Sequence, residues 1–200
     1  MKNNKNFSDF FYRKAKLLKL KSRSWFKIKE INNREKIFYD NIKIVDLGSS
    51  PGGWSKFASD YTSNSIIFSC DILDNGLYKK CFFFKCNILK KNSYNDFINF
   101  IKVKYINLIL SDMSPNISGN KIIDSKNIYD LYKVCINLCI DKLIFNGCMV
   151  IKLFYGYYTE LIIKEIKNLF NYIKILKPVS SKKKSSEFYI VAKNFKIFNK

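Results

Sequence analysis

The segment Val45-Asp46-Leu47-Gly48-Ser49-Ser50-Pro51-Gly52-Gly53-Trp54 constrains the fold most. It joins an apolar strand, Ile42–Val45, to a helical pattern beginning at about Ser55. Glycines at a strand-to-helix turn let the backbone approach a ligand closely. The strand-and-helix rhythm then repeats. Ser65–Cys70 reads as a strand ending at Asp71, Cys81–Phe84 as a third, and Tyr105–Leu110 as a buried one ending at Ser111-Asp112. Cys148–Leu153 is a further strand, carrying Lys152. Helical patterns cover Ser93–Lys104, Ser125–Phe145 (stopped by Asn146-Gly147) and Thr159–Phe170. Tyr172–Leu176 and Phe188–Ala192 are separated only by a loop, so they should pair antiparallel. The expected architecture is α/β and Rossmann-like, a mostly parallel seven-stranded sheet with one antiparallel strand and helices on both faces. Ligands of such sheets bind at the carboxyl ends of the strands, where Asp46, Asp71, Asp112 and Lys152 are expected.

The glycine turn excludes two common ligands. A dinucleotide fingerprint needs G-x-G-x-x-G, and the spacing here is Gly48-x₃-Gly52-Gly53. A P-loop needs G-x₄-G-K-[ST]. Gly48-x₄-Gly53 fits, but Trp54 stands where the lysine belongs. Without that lysine a triphosphate loses its main charge partner, so the turn suits a nucleoside lacking phosphates. S-adenosylmethionine is such a ligand, and Asp71 follows Gly48 by 23 residues, close to the ~20 of ribose-binding acids in dinucleotide folds. Alone, the glycines merely turn the chain and Asp71 merely caps a loop. In register, they point to a cofactor site.

At 200 residues the chain is sized for one domain, divided here into a basic N-terminal helical segment, 1–36, and a 37–200 domain that carries the glycine turn, both within that unit. Residues 1–36 carry twelve Lys/Arg against Asp9, Glu30 and Glu35. The formal net charge of +20 points to a polyanionic partner, most often nucleic acid, although coding bias toward Lys, Asn and Ile would also raise it. There is no histidine, which excludes Ser-His-Asp and Cys-His catalysis and Cys₂His₂ zinc sites. None of the six cysteines has C-x-x-C spacing, so free thiols in a reducing compartment and no metal are expected. The longest uncharged apolar stretch, Leu143–Ile151, is about half a membrane span. No secretory signal precedes the first helix, and a bacterial cytoplasm, with an organellar matrix second, is the expected location.

Lys152 ends the run Cys148-Met149-Val150-Ile151, which should be buried on both faces. Its ammonium is either poised at a site or carried to water on a buried stem. Asp112, at the matching end of a neighbouring strand, supplies the counter-charge that favours a site.

With these residues in place the sequence resembles the FtsJ/RrmJ family of bacterial methyltransferases acting on large-subunit ribosomal RNA. The resemblance rests on four blocks in order. They are Phe7-Ser8-Asp9 with Lys21-Ser22-Arg23-Ser24-Trp25-Phe26-Lys27; Asp46-Leu47-Gly48 with Pro51-Gly52-Gly53-Trp54-Ser55; Ser111-Asp112-Met113-Ser114-Pro115-Asn116-Ile117-Ser118-Gly119; and Lys177-Pro178 through Glu187-Phe188-Tyr189-Ile190-Val191-Ala192. It implies a class I S-adenosylmethionine-dependent fold and a tetrad of Lys27, Asp112, Lys152 and Glu187 moving a methyl group to a ribose 2′-oxygen of a uridine in 23S-type RNA. Lys152 would be the base or principal orienting group, its neutral form favoured by burial and by Lys27 nearby. Asp112 would hold it and touch the cofactor's methionine part, while Lys27 and Glu187 fix the ribose and its phosphate. Gly52 and Trp54 would line the cofactor, Asp71 bind its ribose and position 87 face its adenine. Asn87-Ile88 departs from the family's usual Asp followed by an aromatic, and Ser49-Ser50 replaces small apolar residues. The implied partner is the 50S particle, met by a monomer. A tRNA methyltransferase and an idle RNA-binding assembly factor are the alternatives. Lys14, Lys16, Lys19, Lys21, Arg23 and Lys182–Lys184 are expected to hold RNA phosphates.

Overall fold

The computed structural model describes residues 5–75, 78–116, 118–182 and 184–197, with side chains from residue 10 onward. Ile117, Lys183 and the side chains of Phe7-Ser8-Asp9 lie outside the described residues. The basic N-terminal stretch forms two helices, α1 (Lys5–Leu17) and α2 (Ser24–Glu35). Then follow β1 (Lys43–Leu47), α3 (Gly53–Tyr61), β2 (Ile66–Asp71), β3 (Cys81–Lys85), α4 (Lys91–Phe100) and β4 (Ile106–Ser111). The chain finishes with α5 (Lys121–Lys142), β5 (Leu143–Phe154), α6 (Thr159–Leu169), β6 (Phe170–Leu176) and β7 (Glu187–Phe195). The seven strands form one sheet in the order β3-β2-β1-β4-β5-β7-β6. All neighbours are parallel except around β7, which runs against both β5 and β6. The expected single reversed strand is therefore β7.

Side-chain alternation along the strands builds two cores. On one face Val45, Met149, Ile151 and Ile190 pack with Phe97 of α4, Cys135 of α5 and Ile166 of α6. On the other, Ile44, Leu110, Val150 and Val191 pack with Ile28 and Ile31 of α2 and Trp54 and Phe57 of α3. Helix α2 is thus part of the sheet's cover, which brings one basic residue, Lys27, into the interior at 5% exposure.

One boundary differs from expectation. The helical period suggested a helix from Ser125 to Phe145, but α5 begins at Lys121, where the Asn120 side chain accepts from Ile122 and Ile123 N–H, and it ends at Lys142. Leu143-Ile144-Phe145 starts β5 instead. Asn146 takes a left-handed φ of 62°, and the β4–β5 register shifts between Ile106 and Leu108. Asn146-Gly147 bends a strand there and does not stop a helix, because Asn tolerates that conformation and an apolar run alone does not distinguish helix from strand.

Candidate active site

The register fixes which side chains meet at the strand tips. Leu47 is level with Cys70 on β2 and with Ser111 on β4, and Ser111 with Ile151 on β5. One rung further along, Asp71, Asp112 and Lys152 therefore stand side by side with Gly48. Asp46 falls two rungs short of them. It lies inside β1, fully buried, with Oδ2 accepting from the Ser55 hydroxyl of α3 at 2.6 Å. The expectation that Asp46 faces a ligand is corrected: β1 runs on through Leu47, so Asp46 lies inside the strand, short of the tip and against Ser55 of α3.

Burial pushes the Asp46 carboxyl up to about 7, against the lowering effect of the Ser55 hydrogen bond. An acid raised on folding binds its proton more tightly in the native state, so its contribution to stability falls as pH rises from about 4 to about 7 and is flat above that. Asp46→Asn keeps an acceptor for Ser55 without the charge. It should therefore be more stable than the parent by a few kcal/mol at pH 8, with the gap closing toward pH 4. Urea denaturation across that range checks this; a gap independent of pH would contradict it.

A cleft of about 570 Å³ opens over the tips of β1 to β4 and is lined by Gly48, Asp71, Asn87, Ile88, Asp112 and Met113, among others. Gly48, at φ +71°, allows its closure: a Cβ there would lie 2.8 Å from the Met113 Cα, so only glycine lets the β1 and β4 turns approach this closely. Asp71 is held by two backbone donors, Ser50 N–H to Oδ2 and Leu73 N–H to Oδ1, both at 2.9 Å. Asn87 Oδ1 accepts from Leu89 N–H at 3.1 Å, leaving one lone pair and two amide donors.

Gly52 and Trp54 are placed differently from expectation. Neither lines the cleft. A Cβ on Gly52, at φ +102°, would strike Asn75 Oδ1 and the Tyr78 ring, so this glycine seats the turn against the loop after β2. The Trp54 ring is 2% exposed, donates from Nε1 to Ser24 O at 3.0 Å, and lies 5.7 Å from the Tyr189 ring. It supports the site from behind, within the second core.

At the β5 edge of the cleft the four expected polar residues converge. Lys152 Nζ lies 3.4 Å from Asp112 Oδ1 and 3.4 Å from the Asp112 carbonyl oxygen. Both distances exceed the ~2.7–2.9 Å of a tight charge-assisted bond, so the ammonium retains donor capacity. Lys27 Nζ donates to Glu187 Oε1 at 2.7 Å and to the Tyr189 hydroxyl at 2.9 Å. The charge expected to press on Lys152 is therefore neutralised by Glu187. Burial alone would push the Glu187 carboxyl up. The charge and hydrogen bond of Lys27, with lesser help from Ser181 and Lys152, outweigh burial and hold it below its usual value.

Tyr189 connects the two pairs and was not anticipated. Its hydroxyl accepts from Lys27 and donates to Asp112 Oδ1 at 2.9 Å. Burial first, then the Asp112 and Glu187 charges, push it well up, so it remains a phenol. The signal was in the sequence: Tyr189 follows Glu187 by two, hence shares its strand face, and it is the register partner of Lys152. The result is a continuous path, Glu187–Lys27–Tyr189–Asp112–Lys152, on the sheet face that α2 covers.

Lys14, Lys16, Lys19, Lys21, Lys182 and Lys184 are exposed, and Arg23 is half-buried. Among the described residues all six cysteines are free, no cluster of three metal-ligating side chains occurs, and no helix is long and apolar enough to cross a membrane.

Comparison with known proteins agrees with this fold. A family model described as FtsJ-like methyltransferase matches residues 20–195. The chain is 39% identical over 189 residues to Ribosomal RNA large subunit methyltransferase E of Buchnera aphidicola subsp. Cinara cedri, covering 94% of this chain and 90% of that one. It is also 39% identical over 193 residues to the protein of the same name from Wigglesworthia glossinidia brevipalpis, covering 96% and 94%. A solved structure described as a ribosomal RNA methyltransferase from Plasmodium falciparum superposes with a TM-score of 0.77 at 26% identity, covering 87% of this chain and 97% of that one.

Proposed function

The chain belongs to the FtsJ-like methyltransferase family, and from that premise we propose that it is an enzyme moving a methyl group from S-adenosylmethionine to the ribose 2′-oxygen of a uridine in 23S-type large-subunit ribosomal RNA. The observation that carries this reading is the side-chain path ending in the Lys152–Asp112 pair at the rim of a carboxylate-bearing cleft.

The residues present fit that cofactor. Asp71 and Asp112 both line the cleft, which disfavours an anionic polyphosphate and suits a cationic nucleoside. Asp71 would hold the ribose hydroxyls, Asn87 and Ile88 the adenine, and Asp112 the amino-acid end, with Gly52 and Trp54 bracing the turn. When bound, the cofactor supplies a methyl carbon on a positively charged sulfur. A 2′-hydroxyl is a weak nucleophile at neutral pH, so it must be oriented and relieved of its proton as the carbon arrives. Lys152 Nζ orients that hydroxyl and, in the fraction of the enzyme that carries it as the neutral amine, takes up the proton on its lone pair. Asp112 holds Lys152 at the tip of its strand, and Tyr189 fixes Asp112 from the other side. The Lys27–Glu187 pair positions the ribose and its phosphate. In-line transfer depends on this alignment for much of its rate.

The partner in this reading is the 50S particle, met by a monomer in a bacterial cytoplasm, with exposed lysines on phosphates. Incubation with methyl-labelled S-adenosylmethionine and, separately, large ribosomal subunits, free large-subunit RNA and bulk tRNA tests the assignment. Label is expected in large-subunit RNA. Label confined to tRNA would shift the substrate, and none in any RNA would mark an idle assembly factor.

A further inference from the structure

Just beyond Lys152, where β5 gives way to α6, two tyrosine rings stand in solvent. Tyr155 is 60% exposed and Tyr157 is 84% exposed, the highest value among the large apolar side chains described. One exposed aromatic residue needs no account, but two within three positions at the rim of a reacting pair do.

Both are held in place by the fold. The Tyr155 ring stacks on Phe188, centroids 4.3 Å apart and planes at 29°. Phe188 itself is buried, so one face of Tyr155 is covered and the other is open. The Tyr155 backbone N–H donates to Ser186 O at 3.2 Å, tying it to the end of the loop that carries the exposed Lys182 and Lys184. On the other side, Tyr157 N–H donates to Ser125 Oγ of α5 at 3.4 Å. Its ring meets Tyr158 edge-on at 5.1 Å, and Tyr158 in turn stacks on Tyr129. Of the nearby carboxylates, Glu187 is neutralised by Lys27, Asp124 accepts from the Ser118 and Gly119 N–H groups, Glu165 takes the Tyr129 hydroxyl and lies 3.7 Å from Lys133, and Glu160 stands in the first turn of α6.

We propose that Tyr155 and Tyr157 form a stacking platform for unpaired bases of the RNA that flank the nucleotide presented to Lys152. The inference rests on the functional reading above and adds the substrate's form, a single-stranded or splayed segment, because bases in a duplex have both faces covered. The charge balance of the chain already calls for a polyanion. Lysines alone hold phosphates; exposed rings add contact with base faces, at ~1–3 kcal/mol per base and with little sequence preference. Phe188 beneath Tyr155 lowers the ordering cost of such a contact.

The test measures binding of an unstructured oligoribonucleotide and of a duplex of the same sequence, together with KM and kcat on large ribosomal subunits. Tyr155→Ala and Tyr157→Ala should each weaken binding of the single strand by about 5- to 100-fold and raise KM correspondingly. Duplex binding and cofactor affinity should hold, and Tyr→Phe at either position should restore the single-strand affinity. Tyr157, with its ring in solvent, keeps the test decisive if Tyr155→Ala folds poorly. Unchanged single-strand binding by Tyr157→Ala in a preparation whose parent transfers methyl groups would overturn the platform and leave the enzymatic reading standing. A parent that transfers no methyl group to any RNA would overturn both.

Discussion

Replacing Lys152 with alanine should lower methyl transfer by about 10²- to 10⁴-fold, the range expected when a positioned proton acceptor is removed. That loss corresponds to ~3–5 kcal/mol of transition-state stabilisation. Cofactor affinity should stay within about twofold, because the cleft is lined by Asp71, Asn87 and Asp112 and Lys152 is not part of that lining. Asp112 keeps its hydrogen bond from Tyr189 in the variant, so the fold should hold as well. Calorimetry for cofactor binding, beside single-turnover transfer to large ribosomal subunits, separates the two effects. Parental turnover in Lys152→Ala would remove Lys152 from the reaction. Loss of both properties together would make it a cofactor ligand.

The second large effect falls on stability. Lys27 and Glu187 form an ion pair with side chains 6% and 10% exposed. Glu187→Ala leaves the Lys27 ammonium buried with only the Tyr189 hydroxyl, and removing one partner of such a pair costs ~3–5 kcal/mol. Lys27→Met with Glu187→Leu should recover most of that loss, because buried pairs are offset by their own desolvation. The double variant should still be inactive, which distinguishes a positioning role from a structural one. Because Lys27 holds the Glu187 carboxyl below its unfolded value, the native state binds that proton less tightly. Its stabilisation is complete above about pH 5 and is lost as pH falls through the lowered value. Urea denaturation of Glu187→Ala should therefore show the full deficit at pH 7 and a shrinking one below pH 4. A deficit below ~1 kcal/mol at pH 7 would contradict the account.

Much of the fold was legible because the central strands are apolar runs buried on both faces and bounded by Asp, Gly or Asn. Asp112 and Lys152 could be paired from sequence because each directly follows such a run at the same tip of the sheet. Asp46 looks identical in sequence. Strand ends read from pattern carry an uncertainty of a residue or two, and that is enough to move a side chain from the tip of the strand to its interior. Trp54 was expected to line the cofactor because the family resemblance implies it. Its hydrogen bond to Ser24, thirty positions away, is a tertiary contact with no periodic signature. Tyr189 was hidden for the opposite reason: inside the apolar run Phe188–Ala192 it reads as core, which it also is, at 0% exposure. Its second role appears only when β7 is laid against β5 in register.

The central claim is that the Lys152–Asp112 rim directs a methyl group to a ribose oxygen and not to a base. A 2′-O-methyl blocks attack of that oxygen on the neighbouring phosphate, so the adjoining linkage survives alkali. Large ribosomal subunits labelled with methyl-³H S-adenosylmethionine by this protein, then hydrolysed in alkali, should yield the label in a dinucleotide whose first residue is uridine. Label released in a mononucleotide would place the methyl on a base and contradict the account.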